Sequence, residues 1–174
     1  MSILGALAWL FYVLLLYTGT ALVAQFAHAQ QGFPWWVAYL FAVNLVTYLI
    51  FLLDWLIAPL ANVPVLGWIL LRAPNWLLFG LLPAIGGFPA TLLSVGSLNH
   101  KSSDAYSRMR NWSFGIALMA ALLLFLLHRS AGLTLDGINT LVENYVVDTT
   151  QAVQAVATRL GAGSLLRGPG TTAS

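Results

Sequence analysis

The chain reads as an all-α membrane protein with four transmembrane helices, the third kinked by proline and glycine, followed by a C-terminal amphipathic helix. Three observations predict this. Of 174 residues, 60% are hydrophobic and only 7% charged, with a mean hydropathy of +0.85, whereas soluble domains carry ~25% charged residues. Apolar runs long enough for a hydrocarbon core of ~30 Å recur along the sequence. After Gly132 the pattern changes, and acids and glutamines begin to punctuate the apolar positions at helical spacing.

The charge balance excludes some functions at once. Seven lysines and arginines against five acids give a formal charge of +2, and the pI near 9.2 reflects scarce ionisable groups rather than a basic surface. No basic cluster is available to neutralise phosphates, so nucleic acid is not an expected partner. The chain has no cysteine, which removes disulfides, thiolate metal ligation and cysteine nucleophiles.

The membrane domain is expected over residues 1–132, with spans at about 3–24, 35–53, 76–98 and 112–128. Ile3 to Ala24 is nearly continuous Leu, Val, Ala and aromatic. It lacks a basic leader and exceeds a signal-peptide apolar region of ~7–15 residues, so it reads as a retained helix, although Ala27-His28-Ala29 resembles a cleavage site. Gln25 to Gly32 forms a polar connection. Pro34 opens the second span, anchored by Trp35 and Trp36 and ended by Asp54. The connector from Asp54 to Asn75 is apolar but broken by Pro59, Pro64, Gly67 and Pro74. A short interfacial helix near Leu66 to Leu71 is expected there, with a re-entrant segment as the alternative.

The third span carries the most informative feature. A helix of ~23 residues from Trp76 to Leu98 would reach ~35 Å, enough to cross. Pro83 cannot donate to the Phe79 carbonyl, nor Pro89 to that of Ile85, and Gly86 and Gly87 relax the backbone between them, so a kink is expected. In lipid the freed carbonyls require partners, which turns this region towards other helices or a ligand. Gly86, Ala90 and Ser94 also form a small-residue stripe for close helix packing. A polar turn from Asn99 to Asn111 follows, and then a short fourth span of ~24 Å that Arg110 and Arg129 extend by snorkelling.

Residues 133–160 are expected to form an amphipathic helix outside the bilayer core, capped by Thr134 or Asp136 and docked on a partner protein or on its own bundle. Residues 161–174 read as a flexible tail. The positive-inside rule favours a cytoplasmic location for the Lys101 turn. His28 and His100 then share one side and His128 takes the other.

Few side chains could carry chemistry. Asp54 and Arg72 flank one connector and can clip the second and third spans together, while Asn44 is the amide at depth and can bond a neighbouring helix. His28 or His100 could ligate haem or a chlorin, but rings at span ends are also comfortable without a ligand. Lys101 beside His100 could hold an anionic headgroup. No nucleophile elbow, zincin helix or paired carboxylate appears, so the reading assigns no catalytic residue, metal site or cofactor.

From the second span to the charged turn, an ordered set of residues stands out: Asn44-Leu45 with Tyr48 and Asp54, Arg72 with Pro74, Gly86-Gly87 with Pro89, and His100-Lys101 with Tyr106. This set resembles the bacterial integral-membrane family termed domain-of-unknown-function family 1294, over about residues 38–106. Trp55, Asn75 and Ala90 depart from its pattern, where the family has lysine, glutamate and glycine. The resemblance implies a small helical membrane domain and no particular reaction. Together these readings lead to a non-catalytic accessory or scaffolding subunit, multi-pass in a bacterial inner membrane, with lipids and other membrane subunits as partners. The alternative is a handler of a lipid, quinone or pigment that uses the kinked span.

Overall fold

The computed structural model describes residues 3–60, 73–97 and 104–160, and every regular element within them is helical. In chain order these are α1 (Ile3–Gln31), α2 (Trp35–Leu60), two π-helical turns, π1 (Leu77–Leu81) and π2 (Pro83–Gly87), then α3 (Phe88–Ser97), α4 (Asp104–Ala131) and α5 (Leu135–Arg159). Three stretches are long and apolar enough to cross a membrane: Gly5–Gln31, Trp35–Leu60 and Arg108–Ala131. The chain is a helical membrane protein. The segment holding π1, π2 and α3 does not join those three, because no single helix among its described residues is long enough.

The helices run past the polar residues expected to end them. α1 continues through Gln25 to Gln31, α2 passes Asp54 to reach Leu60, and α4 begins at Asp104 rather than Trp112. Polar residues mark depth in a membrane, whereas the backbone stops only where a residue cannot continue the helix. Gly32 does so at φ +66°, giving its N–H to the His28 carbonyl at 2.9 Å, and Gly132 repeats the left-handed cap at φ +64°. Pro59 lies in the last turn of α2, one residue before the helix ends at Leu60.

The main core joins α1, α2 and the broken segment through Tyr12, Leu16, Val43, Ile50, Phe51, Leu77, Leu78 and Leu82, all buried. A smaller cluster sets Val146 of α5 among Ala24 and Ala27 of α1 and Ala38 and Ala42 of α2. Four alanines leave a shallow seat in which a third backbone can approach closely. α5 therefore docks on its own bundle, with Thr134 accepting the Gly137 N–H at 3.1 Å as its N-cap. Its buried residues are Val146, Thr149 and Thr150, while Leu141, Val156 and Leu160 stay exposed.

The contacts also fix which ends meet. Trp9 and Trp76 pack ring to ring at 5.9 Å, so the broken segment starts at the end of the bundle where α1 starts. Ser113 sits against Phe79, near that same end, while at the other end the Trp36 N–H meets Asn139 Oδ1 at 3.3 Å. α4 consequently runs towards the α1–α2 turn. His128 lies at the same end as His28, contrary to the opposite placement that a simple alternation of four spans gives.

Candidate functional site

The kink is the densest polar locus among the described residues. Its geometry follows from the missing proline donors. Without N–H groups at Pro83 and Pro89 the turns open to π-helical spacing, and Gly86 takes φ +106°, a conformation costly for any residue with a Cβ. Neighbouring helices then supply the hydrogen bonds. Ser113 Oγ of α4 lies 2.9 Å from the Phe79 carbonyl, the position that Pro83 leaves without its α-helical donor, and 3.0 Å from the Met109 carbonyl of its own helix, so its one proton is shared between the two. Tyr39 OH of α2 donates to the Ile85 carbonyl at 3.1 Å, which Pro89 leaves likewise.

Asn44 completes the arrangement. Its Nδ2 donates to the Gly86 carbonyl at 2.9 Å and its Oδ1 accepts the Ala90 N–H at 3.0 Å. In an uninterrupted α-helix those two backbone groups would bond each other, four residues apart. The carboxamide of α2 is inserted between them. Gly87 permits this closeness: a Cβ there would lie 2.6 Å from Thr47 Oγ1 and 2.9 Å from the Leu82 carbonyl. Ala90 and Ser94 are buried one and two turns further on, where α3 lies along α2. The kink is an internal joint whose polar groups are held by the protein itself.

Asp54 is wholly buried near the end of α2. It lies within electrostatic reach of the Tyr12 phenol, which also hydrogen-bonds the Ala73 backbone. Arg72, the expected partner of Asp54, lies outside the described residues, as do His100 and Lys101 and the expected connector helix.

The remaining histidines share a local motif. His28 Nδ1 bonds the Phe33 carbonyl at 2.7 Å and the ring stacks on Trp35 at 3.8 Å, while His128 Nδ1 bonds the Leu133 carbonyl at 2.6 Å. Each ring thus braces the glycine-capped turn that follows it. The sequence signal was the repeated His-x-x-x-Gly at 28–32 and 128–132. Among the described residues no group of three or more metal-ligating side chains is present.

A half-enclosed cavity of about 300 Å³ lies beside the joint, lined by Val13, Leu16, Tyr17 and Thr20 of α1, Tyr39, Leu81, Ile85 and Tyr145. Tyr145 OH donates to the Tyr17 carbonyl, and its ring meets Tyr17 edge-on at 4.9 Å and Tyr39 at 6.3 Å. Burial, reinforced by Tyr39 and Tyr17, pushes the Tyr145 hydroxyl well above its ordinary range, so it remains a proton donor. Compared with family profiles, curated proteins and solved structures, the chain matches none.

Proposed function

We propose that this protein is a non-catalytic accessory subunit that packs beside another membrane protein in a bacterial inner membrane. The observation that carries the reading is the second half of α4. Every residue from 121 to 131 is exposed, and Leu118, Met119, Leu123 and Phe125 each expose more than half of their surface. That half leaves the broken segment behind and stands apart from the α1–α2 pair. Ala117 and Ala121, one turn apart, give it a small-residue edge suited to close approach by a foreign helix.

The membrane topology that accompanies this reading has three crossings, α1, α2 and α4, with the broken segment entering and leaving on one side. Supporting it are the shared end of Trp9 and Trp76, the level of Ser113 with Phe79, and the direction of α4 towards Trp36. The chain's resemblance to domain-of-unknown-function family 1294 fits the same picture, since Asn44, Gly86 and Gly87 of the shared pattern build the joint. Pairing of Asp54 with Arg72 would clip the connector to α2. Membrane lipids are the other expected partners, and Arg108, Asn111 and Trp112 line a shallow groove suited to a headgroup.

The test is purification from the native membrane in mild detergent, followed by mass spectrometry of the intact assembly. A stoichiometric protein partner is expected. A lone monomer retaining only lipid would overturn the reading.

A further inference from the structure

The level at which α5 lies follows from its contacts. It starts at the α1–α2 turn, where Asn139 meets Trp36, and runs from there along both helices towards the start of α1. Val146 seats among Ala24, Ala27, Ala38 and Ala42, and the Tyr145 hydroxyl reaches the Tyr17 carbonyl. Thr149 and Thr150, one turn further on, are buried as well, so the helix keeps to the bundle. α1 offers 27 residues, Gly5–Gln31, to a hydrocarbon core of ~30 Å, which takes about 20 residues of helix. Every such window contains residues 12–24, and Tyr17 and Ala24 are among them. With α1 crossing the membrane, as in the topology above, the middle of α5 therefore stands beside the hydrocarbon.

The outer face of α5 does not suit that place. Val142, Val146, Thr149 and Thr150 turn towards the bundle, while Asn144, Asp148 and Gln151 lie on the opposite side, flanked by Glu143 and Gln154, and all five are exposed. Acids and amides at such depth are held against protein or water, not against acyl chains. Water on this face would itself need a second wall, which only another protein can supply. We propose that the outer face of α5 is the docking surface for a transmembrane helix of a different membrane protein, one that carries a lysine or arginine at the level of Asp148. The charge selects that occupant. α5 holds Asp136, Glu143 and Asp148 against a single base, Arg159, three turns on from Asp148. A second copy does not fit, because copies inserted the same way round are related by an axis along the membrane normal, which sets Asp148 opposite Asp148. The proposal rests on α1 crossing the membrane, and it deepens the accessory-subunit reading by naming a second contact face and the partner's charge.

The experiment places a photoreactive residue at Gln151 of the full chain in its native membrane and sequences the adduct by mass spectrometry. A crosslink to a lysine- or arginine-bearing transmembrane helix of another protein is expected. Asp148→Asn, a change at an exposed site that keeps the shape, should lower the adduct yield about tenfold or more, as for truncating one partner of a desolvated charge pair. Lipid adducts alone, an adduct to a second copy, a partner helix without a base, or an unchanged yield in Asp148→Asn would each overturn the proposal. The same probe at Phe125 of α4 reports on the accessory-subunit reading separately, since a protein adduct there with lipid alone at Gln151 sinks only the present proposal. The membrane premise has its own check. The chain lacks cysteine, so Leu22→Cys, on the exposed side of α1, and Gln151→Cys each offer a single thiol. Both should resist a membrane-impermeant maleimide in membrane sheets open on both sides. Rapid labelling of Leu22→Cys would place this level of α1 in water and overturn the proposal at its premise, and rapid labelling of Gln151→Cys alone would mark a water-lined face and overturn helix docking.

Discussion

Replacing Asn44 by leucine isolates the energetic role of the joint. The substitution keeps the side-chain volume nearly constant and removes both hydrogen bonds to the broken segment, at 2.9 Å to the Gly86 carbonyl and 3.0 Å to the Ala90 N–H. Each bond contributes about 1 kcal/mol net, and each backbone group left without a partner costs about 1–3 kcal/mol. Water cannot rescue them readily in an apolar bundle. The expected loss is therefore about 2–4 kcal/mol, measured as the shift in reversible denaturant-driven unfolding in mixed micelles, followed by tryptophan fluorescence. A loss under about 0.5 kcal/mol would refute the reasoning. It would mean that Gly86 and Ala90 can bond each other directly once the carboxamide is gone, so that prolines and glycines alone set the bend.

Gly87→Ala should cost more than 2 kcal/mol, because the new Cβ would meet Thr47 Oγ1 at 2.6 Å and backbone at 2.9 Å, while Gly19→Ala, whose nearest contact is 3.5 Å, should stay within about 0.5 kcal/mol by the same assay. Ser113→Ala and Tyr39→Phe should each lower stability by about 1 kcal/mol, since each strips the side-chain donor from a carbonyl that proline has already deprived of one. Thr134→Ala removes the cap of α5 and should cost about 1 kcal/mol, seen as faster amide hydrogen exchange over the first turns of that helix. A double-mutant cycle on Asp54→Asn and Arg72→Gln tests the connector clip, with a coupling of at least 1 kcal/mol expected for a pair whose acid is fully buried.

Composition and the long apolar runs made the membrane class legible, because a bilayer demands both. Proline chemistry likewise identified Phe79 and Ile85 as the carbonyls in want of donors. The identity of those donors was not legible. Tyr39, Asn44 and Ser113 are ordinary residues of other helices, and the register in which helices pack is not written in the spacing of either one. The helices extend past Gln25 and Asp54 and begin before Trp112, because polarity reports depth in a membrane, while a left-handed glycine such as Gly32 or Gly132 reports where the backbone stops. The common end of His28 and His128 is not legible in the sequence, because it shows only once α5 is seen to meet the start of α2 through Asn139 and Trp36.

The most direct test of the accessory-subunit account is photo-crosslinking in the native membrane from a reactive residue placed at Phe125, which is 58% exposed on the bare half of α4. The account predicts a discrete protein adduct of defined mass from Phe125 and none from the same probe at Val146, which is buried among the alanines of α1 and α2. Lipid adducts alone from Phe125 would contradict it.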